Sequence, residues 1–183
     1  KNLEIIICCH SNGGLATTHY TINNLNKVSC LILFSPWYAL SNPLKWYEII
    51  LKTIALIVYP KLAVPMGKRG GDAEGCTTNE AWIKILNSDK QLYKWATVKA
   101  NDEVEKAQDL CAGRANEITQ PVILIHDKGD PVTSYEASKN IFELFSSKNK
   151  LMISLDKNIH HPFLEGDKVK EIYQKILTFI STF

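Results

Sequence analysis

Arginine is nearly missing from this chain. Of its 21 basic residues only Arg69 and Arg114 are not lysine, and against 19 acidic residues the net charge is +2. With no basic block and few guanidinium forks, nothing points to nucleic acid as a partner. Cysteine is sparse and unpatterned. Cys8, Cys9, Cys30, Cys76 and Cys111 are odd in number and contain no C-x-x-C spacing. That argues against a disulfide framework and against a zinc site, and favours a reducing, intracellular compartment. Long apolar runs are also lacking. The most apolar stretch, residues 49–59, contains Lys52 and is too short to span a bilayer. What remains is 183 residues with 45% hydrophobic and 22% charged side chains, the composition of one ordinary globular domain.

The chain runs almost at once into Leu3-Glu4-Ile5-Ile6-Ile7-Cys8-Cys9. A continuous apolar run suits a strand buried on both faces of a parallel sheet. Such a strand needs neighbours on both sides, and only one can follow it here. The chain is therefore expected to be the C-terminal part of a longer protein, with this strand at an exposed edge when the 183 residues stand alone. A turn (His10 to Gly14), a helical stretch (15–25) and a second apolar run (28–34) complete a β-turn-α-β unit, the start of an α/β layer architecture.

Residues 43–76 interrupt the alternation and are expected to form a cap or lid inserted between core segments 1–42 and 77–183. Their helical stretch carries a wide apolar face that includes Trp46, Ile50, Ile54 and Ile57. It reads either as a buried helix or as a cap over a lipid pocket. A glycine-rich loop, 67–75, follows. Thr77 to Glu80 and Thr133 to Glu136 have capping-box spacing and predict two helix starts. Further helices are expected at 101–115 and 167–183, and further buried strands at 122–126 and 151–155.

Ser11 stands between a strand and a glycine-flanked helix start, in Cys9-His10-Ser11-Asn12-Gly13-Gly14. The G-x-S-x-G elbow places a serine on such a strained turn, and here Cys9 replaces its first glycine. A serine hydroxyl needs a base, and a histidine base needs a carboxylate to fix its tautomer. Asp130 lies just past a strand, in His126-Asp127-Lys128-Gly129-Asp130, and is preferred over Asp127 as the acid. His160 and His161 lie past the next strand. His126 reads as a packing residue at a strand end, and His10 as a residue that shapes the turn. Serine, acid and histidine thus occur in the chain order of hydrolases built on a parallel sheet, each at a strand C-terminus.

These motifs resemble the α/β-hydrolases, and among them the monoglyceride lipase family, in its fungal type, related to the S33 serine aminopeptidases. His10-Ser11-x-Gly13-Gly14 resembles that family's GHSMGG elbow, and Ser35-Pro36 its S-P after the next strand. Asn87-Ser88-Asp89 resembles its S-D-P segment, and the stretch from Pro121 to Asp130 its P-V-L-x-x-H-G-x-x-D. His160 to Glu165 has its H-x-x-x-x-E spacing, which selects His160 over His161 as base. Asp127 and Ile159 replace two further family glycines. The resemblance implies an α/β fold, the C-terminal part of an α/β-hydrolase, with a parallel sheet, flanking helices and a helical cap. It implies a serine esterase acting on monoacylglycerol, without metal or organic cofactor, through Ser11, His160 and Asp130. The Asn12 N–H would be an oxyanion donor, and Trp46, Ile50, Ile54 and Ile57 would meet the acyl chain. Lysophospholipid, another ester or a peptide-like substrate are the alternative substrates, and a decayed copy kept for binding is the non-enzymatic alternative. The implied partners are a lipid ester and, through the cap, a membrane or droplet surface, with a cytoplasmic or peripherally membrane-bound location. The family's second oxyanion donor precedes the elbow, outside these residues. Loss of one donor typically costs ~10²–10³ in turnover, so the isolated chain is expected to be weak or inactive. Cys9 is expected to crowd the elbow.

Overall fold

A computed structural model describes residues 4–66, 69, 72–92 and 94–182, except for the side chains of residues 167 and 168. Leu3, Phe183 and much of the glycine-rich loop lie outside the described residues. Four parallel strands form the main sheet: β1 (Ile6–His10), β2 (Cys30–Phe34), β5 (Val122–Asp127) and β6 (Lys150–Leu155), in that spatial order. Helices α1 (Asn12–Asn23), α5 (Val98–Arg114), α6 (Tyr135–Leu144) and α7 (Asp167–Ile180) flank it.

The apolar runs are explained by helices on both faces. Along β2 and β5, Leu31, Leu33, Val122 and Leu124 join one core cluster with Leu15 of α1, Cys111 of α5 and Phe142 of α6. The alternate residues Cys30, Ile32, Ile123 and Ile125 join a second cluster with Ile172 and Ile176 of α7. Every residue of β2 and β5 is buried. Truncating a leucine such as Leu33 or Leu124 to alanine would cost about 2–5 kcal/mol. In contrast, β1 is an edge strand whose start is open, with Ile5 50% and Ile6 38% exposed. Its apolar run is therefore not buried on both faces in this chain, and the expected exposed edge is present.

The connection from β2 to β5 carries α2 (Trp46–Val58), β3 (Ala63–Pro65), α3 (Ala73–Cys76), α4 (Glu80–Ser88), β4 (Trp95–Thr97) and then α5. β3 pairs antiparallel with β4, Ala63 opposite Thr97. That pairing joins residues 95–97 to the inserted segment, so residue 76 is not a structural break. Instead α3, unforeseen within the loop, turns inward and buries Ala73 and Cys76. α2 buries none of its 13 residues, which overturns the buried-helix alternative.

Both expected capping boxes shift. α4 is capped by Asn79, whose side chain accepts from the Ala81 N–H, and α6 by Ser134, which accepts from the Ala137 N–H. Thr77 and Thr133 have hydroxyls engaged elsewhere, with Glu165 and Asp130. All five cysteines are free thiols, and among the described residues no helix is long and apolar enough to cross a membrane.

Candidate active site

Ser11 sits between β1 and α1 with φ 53° and ψ −121°, a conformation that costs a non-glycine residue about 1–3 kcal/mol. Backbone bonds hold it there. The Ser11 N–H donates to Phe34 O at 2.9 Å, and the Gly14 and Trp37 N–H groups donate to Ser11 O at 2.9 and 3.0 Å. The tightest approach in the turn is at Gly14, where an added Cβ would stand 2.7 Å from Pro36 Cβ. Cys9 does not crowd the turn. A Cβ on Gly13 would meet Cys9 Cβ at an ordinary 3.6 Å, and the Cys9 thiol points to Ile32 O. Burial pushes that thiol up to about 11, against a smaller opposing hydrogen bond with Thr17, so it is no rival nucleophile. Asn12 is the first residue of α1, where helix N–H groups lack intrahelical partners.

His160 Nε2 lies 3.0 Å from Ser11 Oγ, and His160 Nδ1 lies 2.7 Å from Asp130 Oδ2. Asp130 Oδ1 accepts the Val132 and Thr133 N–H groups at 2.8 and 3.0 Å. Asp130 Oδ2 also accepts the Thr133 hydroxyl at 2.9 Å and His126 Nε2–H at 3.1 Å. Burial alone would raise the Asp130 carboxyl, but the bonds from His126, His160 and Thr133 outweigh it and hold the group far below the usual carboxylate range. An ionised Asp130 only accepts, so His160 Nδ1 carries the proton and the Nε2 lone pair faces Ser11. The structure thus brings Ser11, His160 and Asp130 together. Neither His161 nor Asp127 joins that chain of bonds.

The sequence reading missed two contributors. His126 is fully buried and braces the acid rather than merely packing, and Thr133 reaches Asp130 from the opposite end of the same turn. His126 stands four residues before Asp130, but spacing alone does not distinguish a brace from a packed ring.

The His160 loop is pinned from three sides. His160 and His161 N–H groups donate to Gly75 O and Cys76 O of α3, at 3.1 and 2.7 Å. Glu165 accepts from the Thr77 and Thr78 hydroxyls and from the Thr78 N–H at 2.8 Å. Asp127 accepts the N–H groups of Gly129, Lys157 and Asn158 at 2.8, 2.7 and 3.0 Å. The left-handed position in this loop is Asn158, at φ 59°, so the following residue, Ile159, is free to be a buried core side chain. His10 also ties in, donating from Nε2 to His160 O at 2.9 Å, which links β1 to this loop rather than shaping the serine turn.

Beneath α2 lies a cavity of about 610 Å³, walled by Ile49, Lys52 and Ala55 of α2, Leu62 and Val64 near β3, and Val104 of α5. The expected acyl-contact residues are not among its lining. Trp46, Ile50, Ile54 and Ile57 are 74, 51, 53 and 79% exposed and face outward. Both faces of α2 are apolar, so periodicity did not indicate which face would turn inward. Two carboxylates line the cavity and both are paired, Glu48 with Arg69 at 2.9 Å and Glu105 with Lys52. Hydrogen bonds from Arg69 hold the Glu48 carboxyl below the usual range. The Ser11, His160 and Asp130 side chains are not part of the cavity wall. Trp37, which lines it and donates its N–H to Ser11 O, is the link between the two.

Comparison with known proteins identifies the family and the fold. The family description "Serine aminopeptidase, S33" matches residues 1–167. A monoacylglycerol lipase from Paleococcus ferrophilus superposes with a TM-score of 0.85 at 22% identity, covering 97% of this chain and 69% of that one. A soluble variant of the Saccharomyces cerevisiae monoglyceride lipase, in complex with a substrate analogue, superposes at 0.81 and 20% identity, covering 98% and 62%. Mouse alpha/beta hydrolase domain-containing protein 10 is more distant, at 0.66 and 16%, covering 100% and 64%. The chain thus spans about two thirds of the length of these structures. Curated protein sequences yield no match.

Proposed function

Because the chain belongs to the serine aminopeptidase S33 family of hydrolases, we propose that it is the Ser-His-Asp portion of a serine esterase whose substrate is a monoacylglycerol. The observation that carries this reading is the relay from Ser11 Oγ through His160 to Asp130, at 3.0 and 2.7 Å, on a strained serine turn. Ser11 Oγ attacks the ester carbonyl while His160 Nε2 takes its proton. Asp130 stabilises the resulting imidazolium, and the Asn12 N–H donates a hydrogen bond to the developing oxyanion. His160 then protonates the leaving alcohol. Water, deprotonated by His160, cleaves the acyl-enzyme and releases the fatty acid.

The apolar cavity under α2 supports an acyl substrate. Among the described residues the two carboxylates of its wall are paired with Arg69 and Lys52, so neither is left free for the ammonium of an aminopeptidase substrate. The outward apolar face of α2 supports contact of the cap with a lipid surface.

In the full-length natural protein, a fluorophosphonate probe should label Ser11, and Ser11→Ala should abolish labelling. His160→Ala should remove most of it, and His161→Ala should leave much of it. Labelling that survives Ser11→Ala would sink the proposal. Faster turnover of an aminoacyl amide than of a monoacylglycerol would overturn the substrate class while leaving the triad in place.

A further inference from the structure

We propose that His10, His160 and His161 form a three-imidazole site for a divalent metal ion of zinc type, and that metal bound there switches the serine site off. One ring nitrogen from each residue can be chosen so that all three lie within 4.8 Å of one another. The rings converge, with centroids 4.6 Å apart for His10 and His160, 4.5 Å for His10 and His161, and 5.3 Å for His160 and His161.

The hydrogen bonds decide which nitrogens are free. His160 Nδ1 is taken by Asp130, which leaves Nε2 as its ligand atom. His10 Nε2 donates to His160 O, which leaves the Nδ1 lone pair. Metal-binding histidines almost always donate their other N–H to a carboxylate or a backbone carbonyl, which fixes tautomer and ring orientation. Two of the three rings already have that arrangement. The third, His161, is half-buried; among the described residues no hydrogen bond to its ring is seen, and it packs against His10 at 4.5 Å and stacks on Phe163 at 5.4 Å.

Tetrahedral zinc with Zn–N of about 2.0–2.1 Å places its nitrogens roughly 3.3 Å apart. Nitrogens within 4.8 Å of one another must therefore close by up to about 1.5 Å on binding the ion. Three histidines leave a fourth position open for water or for Ser11 Oγ. The unpatterned cysteines had argued against zinc. The imidazole donors come from the two ends of the chain and show no ligand spacing in sequence.

Metal on His160 Nε2 occupies the lone pair that would take the Ser11 proton. The binding site itself stands on geometry, whereas its inhibitory consequence rests on the serine-esterase reading. The test titrates the full-length protein with Co²⁺ and then displaces it with Zn²⁺. The expected result is one equivalent of Co²⁺ with intense visible ligand-field bands and no thiolate charge-transfer band, which would instead point to Cys8. His161→Gln and His10→Gln should each weaken binding by more than about 10–100-fold, the loss typical of an outer-shell partner alone. If His10→Gln does not fold, His161→Gln carries the test, because no hydrogen bond to the His161 ring is seen among the described residues. No visible band, or a band that His161→Gln leaves unchanged, overturns the site. Fluorophosphonate labelling, each variant compared with itself in chelator, should fall with Zn²⁺ and become insensitive to it in His161→Gln. Labelling indifferent to Zn²⁺, alongside a normal cobalt spectrum, overturns the switch and leaves the site. Absence of labelling even in chelator would count against the esterase reading, while the cobalt spectrum still decides the site.

Discussion

The end of β5 and the helix α2 invert the usual distribution of polarity. His126, Asp127, Asp130 and Thr133 are buried, whereas the most apolar helix, α2, buries no residue at all. A buried polar cluster and an exposed apolar face are the two informative departures from ordinary burial. In the first, donors surround both Asp130 oxygens, and among the cluster's buried side-chain atoms His126 Nδ1 has no partner. The second has no such compensation within the chain, so its cost must be met by function or by a covering surface. Disturbing the first should therefore cost chemistry and stability, and disturbing the second should cost little in a test of folding.

The largest expected effect is at Asp130. Asp130→Asn keeps the shape but lets His160 take the wrong tautomer, and the rate of fluorophosphonate labelling should fall roughly 10⁴-fold. A loss below about tenfold would mean that His126 and Thr133 orient His160 without the acid. Next is Gly14→Ala, whose Cβ would press on Pro36. Urea unfolding should show a loss of about 1–3 kcal/mol, the usual cost of overpacking.

The pH dependence of stability is a third test. His10 and His161 are depressed in the folded state, from 6.5 to about 3 and about 4, chiefly by burial. Between those limits the unfolded chain binds protons that the folded chain refuses, so stability should fall as pH drops from about 7 toward 4. The depressed Asp130 acts in the same direction at lower pH, its contribution being present above its unfolded value and lost as pH falls through its folded one. Thermal melts from pH 7 to pH 4 on His161→Gln should show a shallower decline than the unaltered chain. The smallest effect is expected at Ile57→Glu on the outer face of α2, within about 0.5 kcal/mol by the same urea measurement. The same variant should weaken sedimentation with lipid vesicles if that face meets a lipid surface.

The layers of the fold were legible because β2 and β5 are short continuous apolar runs bounded by turn residues, the pattern of strands covered on both faces, whereas the same pattern misled at the edge strand β1. The strand-end placement of Ser11, Asp130 and His160 followed from chain order. What escaped was decided by packing. Which face of α2 turns inward was hidden by its all-round apolarity. The capping boxes at Thr77 and Thr133 were misplaced because the chain enters each helix one or two residues later, where Asn79 and Ser134 accept the first-turn N–H groups. Asp127 looked like a damaged glycine position, yet it ties the loop that carries His160.

The Ser11–His160 bond joins residues 149 positions apart in a chain of 183. The strands between must pair for the two residues to meet, so this contact is expected to form late in folding. Reactivity of Ser11 would then count molecules in which β1 and the His160 loop have come together. During refolding, probe labelling should lag behind the recovery of helical circular dichroism, and the lag would time the arrival of the His160 loop against β1.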